Sequence, residues 1–216
     1  MEAGTIRRED PPRRQGPPPA EVAPGGSWTP ANPAALGLAG FAMTTFVLSM
    51  FNANIVDSKG LPVVLGLALF YGGTAQLLAG LWEFRTGNTF GAVAFCSYGA
   101  FWLSFWALQV FYVKGIPAGS AGHAVGLYLW SWAIFTAYMM IAALRVNAGV
   151  LLVFVLLTAT YILLAIGSDG AQETITHWGG YVGIATAVAA WYVSFAIVTN
   201  STFKRTILPI VPLGDR

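Results

Sequence analysis

The 216-residue sequence predicts an all-α, polytopic membrane protein of six transmembrane helices, and three observations carry that prediction. Apolar residues make up 56% of the chain and charged residues 9%, against roughly 25% charge in an average soluble domain, so too little charge is present to solvate a globular surface. The charges are also confined, dividing the chain into six uncharged intervals of 23 to 35 residues. A bilayer core about 30 Å thick needs roughly 20 mostly apolar helical residues, and every interval meets that length once polar flanks are trimmed. A transmembrane barrel would instead alternate apolar and polar residues over about 10 positions. Runs such as Val150-Leu-Leu-Val-Phe-Val-Leu-Leu157 do not alternate.

The expected spans are Leu36 to Ile55, Pro62 to Trp82, Phe90 to Tyr112, Ala124 to Leu144, Ala148 to Ile166 and Gly179 to Thr199. The first opens at Asn32-Pro33, where Asn can cap free backbone donors and Pro is tolerated at the first helical position. Beyond it Phe41, Thr44, Thr45, Leu48 and Asn52 fall at i, i+3, i+4, i+7 and i+11, along one helix face. The second span contributes the amide of Gln76, and Glu83 and Arg85 at its end read as an interfacial ion pair, with a coupling or gating site as the alternative. In the third, Tyr98, Phe101, Phe105 and Gln109 repeat the stripe geometry, and Cys96 reads as a small buried side chain. These polar groups suit two roles, hydrogen bonding between helices and lining of a pore. Gly87-x-x-x-Gly91, Gly122-x-x-x-Gly126 and Gly179-x-x-x-Gly183 permit close backbone approach between helices or between protomers.

His123 is placed in the third loop, and Asp169, Glu173 and His177 in the fifth. Neither histidine has a nearby second ligand, so solvation or helix capping is favoured over metal or haem binding, with a proton sensor as the alternative. Residues 1–31 interleave arginines, acids and prolines and cannot bury enough apolar surface to order, so they are expected to form a disordered tail before a membrane domain over 32–203 and a short tail over 204–216. With six helices both termini share a side. That side would hold nine of the eleven Lys and Arg residues, which puts it in the cytoplasm of a plasma membrane protein.

The charge inventory excludes other classes. A net charge of +2 gives no footprint for nucleic acid, and the single Cys96 excludes an intrachain disulfide. Phosphate-loop, zinc-helix and nucleophile-elbow motifs are missing, and the spans carry hydroxyls, amides and aromatics in place of acids and bases. No catalytic residue, cofactor or metal is therefore expected; a passage for a small solute fits this inventory better than an enzyme.

Two long stretches carry a family resemblance. Asn32-Pro-Ala-Ala-Leu-Gly-Leu38 with Gly40-Phe-Ala-Met-Thr-Thr45 resembles the signature that opens the first helix of the acetate uptake transporter family, which includes the succinate-acetate permeases. Phe70-Tyr-Gly-Gly-Thr-Ala-Gln76, Leu81-Trp-Glu-Phe-Arg85, Gly87-Asn-Thr-Phe-Gly91 and Ser97-Tyr-Gly-Ala-Phe-Trp102 resemble it further, as do Leu163-Leu-Ala-Ile-Gly167 and Thr206-Ile-Leu-Pro-Ile210. The resemblance implies a homo-hexamer in the lipid bilayer with a pore in each protomer, moving acetate and related short carboxylates, with succinate in some members, by a channel-like or proton-coupled route. It also implies a constriction at Phe41, Tyr98 and Leu157. Ala35 departs from the family, which has a second proline there. On this reading Asn32 and Pro33 mark the helix start and pore mouth, and Thr44, Thr45, Asn52 and Gln76 line the path. A urea or short-chain amide channel is the nearest rival, since a neutral lining suits a neutral solute, and a membrane-embedded redox subunit or enzyme is the rival of another class.

Overall fold

The computed structural model describes residues 1, 28 and 30–214, so the expected disordered tail lies almost wholly outside the described residues. Among the described residues six helices are long and apolar enough to cross a membrane: α1 (Ala34–Asn52), α2 (Val63–Thr86), α3 (Thr89–Gly115), α4 (Ala118–Ala143), α5 (Ala148–Asp169) and α6 (Glu173–Phe203). Among the described residues the only pairing of extended backbone is an isolated antiparallel bridge between Asn147 and Pro212.

Asparagine opens α1, α3 and α5. Asn32 accepts the Ala34 N–H at 2.9 Å, Asn88 the Gly91 N–H at 3.1 Å and Asn147 the Val150 N–H at 2.8 Å, each satisfying a donor that the first helical turn leaves free. At the opposite end of α2, Gly87 adopts φ 77° and so turns the chain into α3, a conformation glycine reaches without steric cost.

The helices outrun the expected spans. The fifth continues to Asp169 and the sixth starts at Glu173, because a membrane-length criterion trims polar residues while helical hydrogen bonding continues into the interface. Glu173 in the first turn of α6 also meets the positive end of the helix dipole. His123, Asp169, Glu173 and His177 thus belong to helix ends, not to the loops where the sequence put them. The first helix is shorter than expected and stops at Asn52; Asn54 two residues on takes φ 56°.

Neither α2 nor α3 is uniform. Residues Phe70–Ala75 of α2 and Leu108–Tyr112 of α3 are wound as π-helix, and the Thr74 hydroxyl donates to the Leu69 carbonyl across the wider turn at 2.7 Å. No proline marks either segment in the sequence.

The most extensive packing joins α1 to α6, α6 to α5, α5 to α4 and α2 to α3. The glycine pairs work inside the protomer: Gly122 and Gly126 of α4 meet Ser168 and Asp169 of α5, and Gly179 and Gly183 of α6 meet Leu164 and Ser49. Between α3 and α4 few backbone contacts form, and the gap is filled by rings, with Phe101 5.2 Å from Trp132 and Tyr98 5.4 Å from Phe135. After α6 the chain turns back along the start of α5. Asn200 accepts the Ile207 and Leu208 N–H groups and donates to the Leu208 carbonyl, while the Ala148 N–H reaches Val211 and the Leu213 N–H reaches Val146.

Candidate permeation path

Two cavities, each of about 300 Å³, lie end to end inside the bundle. The proximal one, on the side of the helix starts, is lined by Asn32, Asn88 and Asn147, by Gln76, Phe95, Tyr98 and Phe154, and by Ile210 of the returning C-terminal segment. The distal one is lined by Thr45, Leu48, Ser49 and Asn52 of α1, by Phe101, Trp102, Phe105 and Gln109 of α3, and by Thr160, Tyr161 and Ser168 of α5. Among the described residues, only Phe41 and Leu157 line both.

Those two side chains form a waist. Phe41 is 4% exposed and Leu157 3%, and the Tyr98 ring stands 5.8 Å from that of Phe41 on the proximal side. The structure therefore brings together the three residues that the resemblance assigned to a constriction. The Tyr98 hydroxyl is held 2.9 Å from the Thr136 hydroxyl of α4, and the Thr136 hydroxyl is also 2.7 Å from the Trp132 carbonyl. A carbonyl only accepts, so the single Thr136 proton goes to Trp132, and Tyr98 is the donor to Thr136. Thr136 is 38 residues from Tyr98 in sequence, and no local pattern announces the pair.

The α1 stripe divides. Thr45 and Asn52 line the distal cavity, whereas Thr44 lines neither; its hydroxyl donates to the Gly40 carbonyl at 2.8 Å and its side chain packs where Gly72 of the π-turn leaves room. Gln76 follows that π-turn, is 1% exposed, and keeps a carboxamide oxygen without a partner. Pro33 takes the N-cap position of α1 and lines neither cavity, while Asn32, one residue before it, accepts the Ala34 N–H and lines the proximal cavity. Sequence reasoning passed over Trp102, whose buried indole N–H is likewise unpartnered beside the distal cavity; Thr45 carries a third such group.

Among the described residues, no charged one lines either cavity. The expected Glu83–Arg85 ion pair does not form. Arg85 is exposed, while Glu83 is buried and accepts from Asn88 at 2.9 Å and Thr86 at 3.1 Å. The physical reason is the turn at Gly87, which brings Asn88 back over the carboxylate, and the absence of a side chain on Gly91, whose Cβ would lie 2.7 Å from the Glu83 carboxyl carbon. His123 does have a carboxylate partner, Asp169, which ties the start of α4 to the end of α5. Among the described residues no cluster of three potential metal ligands occurs.

Six membrane-length helices enclosing two neutral cavities that meet at an apolar waist define a multi-pass membrane transport protein. Residues 16–215 match the model of the GPR1/FUN34/yaaH family, and the chain belongs to that family. It is 40% identical to the succinate-acetate/proton symporter SatP of Escherichia coli K12 over 180 residues, covering 83% of this chain and 95% of that one. It is 42% identical to the ammonia transport outward protein 2 of Saccharomyces cerevisiae over 193 residues, covering 86% of this chain. The chain spans about two thirds of the length of the yeast relatives it matches. A solved structure titled as that of the bacterial acetate channel SatP superimposes with a TM-score of 0.79 at 40% identity, covering 84% of this chain and 99% of that one.

Proposed function

We propose that this protein moves acetate and related short carboxylates across the plasma membrane through a pore in each protomer of a hexamer, with both termini cytoplasmic. The observation that carries the reading is the pair of neutral cavities separated by Phe41 and Leu157, in a chain 40% identical to a succinate-acetate/proton symporter. A carboxylic acid with pKa near 4 is mostly an anion at neutral pH and needs hydrogen-bond donors along its way. The helix starts at Asn32, Asn88 and Asn147 offer the positive ends of three dipoles at the proximal mouth. Thr45, Asn52 and Gln76 supply weak neutral partners that let the solute leave again. At the waist, Phe41 and Leu157 resist water and larger solutes, and Tyr98 is the polar group beside them. The positive-charge count supports a cytoplasmic side for the starts of α1, α3 and α5.

Labelled acetate uptake into proteoliposomes tests the reading. Saturable flux competed by unlabelled short carboxylates is expected. Entry of urea or methylammonium without acetate would replace it with a neutral-amide or ammonia passage, the latter being the substrate in the name of the yeast relative.

A further inference from the structure

We infer that Thr136 is a positioning residue that holds the Tyr98 proton out of the pore until an anion arrives, and so makes the waist selective for carboxylates. The inference rests on the transport reading above. As the hydrogen bonds stand, the Tyr98 proton is committed to Thr136 and the Thr136 proton to the Trp132 carbonyl, so Tyr98 offers the waist only lone pairs. Lone pairs repel a carboxylate. The Tyr98 hydroxyl must therefore turn from Thr136 to the passing solute.

That exchange has a direction set by the solute. An O–H donated to a carboxylate is roughly twice as strong as one donated to a neutral hydroxyl, so an anion gains by drawing the proton away. A neutral amide gains little, and the hydroxyl stays with Thr136. The surroundings keep this choice sharp: Tyr98 is 3% exposed and Thr136 fully buried, and rings of Phe41, Phe135 and Phe154 within 6.1 Å of the Tyr98 ring leave no charged competitor among the groups packed on it.

The test measures labelled acetate and acetamide influx side by side in proteoliposomes of the full chain. Thr136→Val removes the acceptor with little change in shape, freeing the Tyr98 proton for any solute, and should raise acetamide flux two- to tenfold relative to acetate, the weight of one neutral hydrogen bond. Thr136→Ser keeps the oxygen and should behave as the wild type. In a Tyr98→Phe background Thr136→Val should have no further effect on the ratio, a coupling that loss of packing alone would not produce. Should Thr136→Val fold poorly, Thr136→Ala removes the same oxygen and is read in the same way. An unchanged acetamide-to-acetate ratio, or the same change with and without the Tyr98 hydroxyl, overturns the inference. A wild type without saturable acetate flux overturns the transport reading and the inference with it, which the wild-type trace alone reveals.

Discussion

Phe41 of α1 and Leu157 of α5 are the two side chains that border both cavities, and each is almost completely buried between them. One aromatic and one aliphatic group from different helices thus stand between the two cavities.

Phe41→Ala should widen that waist. Bulkier and longer carboxylates are expected to enter at rates closer to that of acetate, with a stability loss at or below the roughly 3–5 kcal/mol of a buried Phe→Ala change, since the ring already borders open space. Competition of labelled acetate uptake by a series of acids of increasing size measures it. An unaltered size series would remove Phe41 from the path.

Tyr98→Phe should leave the fold nearly intact, because Thr136 keeps its bond to Trp132 and only one hydrogen bond, about 1 kcal/mol, is lost. Acetate flux should fall while the size series stays the same. Initial rates and the melting temperature, taken together, separate the two effects.

Gly40→Ala should destabilise the junction of α1 with the π-turn of α2. The added Cβ would lie 2.7 Å from the Tyr71 carbonyl oxygen, a backbone atom that cannot rotate aside, so an overpacking cost of about 1–3 kcal/mol is expected. Gly66→Ala, with nothing within 4 Å of its Cβ, is the matched control and should be neutral or mildly stabilising. Equal melting temperatures for the two variants would contradict this account of the junction.

Asn88→Ala removes the α3 cap and the donor to buried Glu83 together. A loss of about 2.5–4 kcal/mol is expected from a cap worth about 1 and a hydrogen bond to a buried carboxylate worth about 1.5–3, with Thr86 left as the carboxylate's remaining partner. Glu83→Gln in the Asn88→Ala background should recover part of it by removing a buried charge that keeps only the Thr86 hydrogen bond. Thermal unfolding in detergent of the single and double variants reads this directly.

Asn200→Ala should release the C-terminal segment from the proximal mouth. Two accepted bonds and one donated bond are lost, and amide exchange over residues 205–213 should accelerate while exchange in α5 is little changed. Unaltered protection of that segment would show that Tyr192 and the Asn147–Pro212 bridge hold it without Asn200.

Much of the protein was legible because its signals are local. Long uncharged intervals give membrane helices, an even number of them puts both chain ends on one face, and Asn before each odd helix is a cap wherever the chain goes next. The absence of charge inside the expected spans already meant neutral cavity linings, although Glu83, one residue beyond the second expected span, is buried. Other features depend on groups far apart in sequence. Thr44 and Thr45 are equivalent by helical periodicity, yet only Thr45 borders a cavity, because Gly72 of a π-turn receives Thr44. Glu83 looked like the partner of Arg85 two residues on, but the turn at Gly87 gave it Asn88. The Tyr98 side chain could be named from its motif; the direction of its hydrogen bond could not, since Thr136 and the Trp132 carbonyl reach it from another helix. The sequence by itself determined the solvent, the helix count and the neutrality of the cavity linings, which follow from composition and short-range backbone physics. The tertiary structure alone decided which polar groups border the cavities and where the Tyr98 proton goes, because both depend on neighbours brought together from other helices.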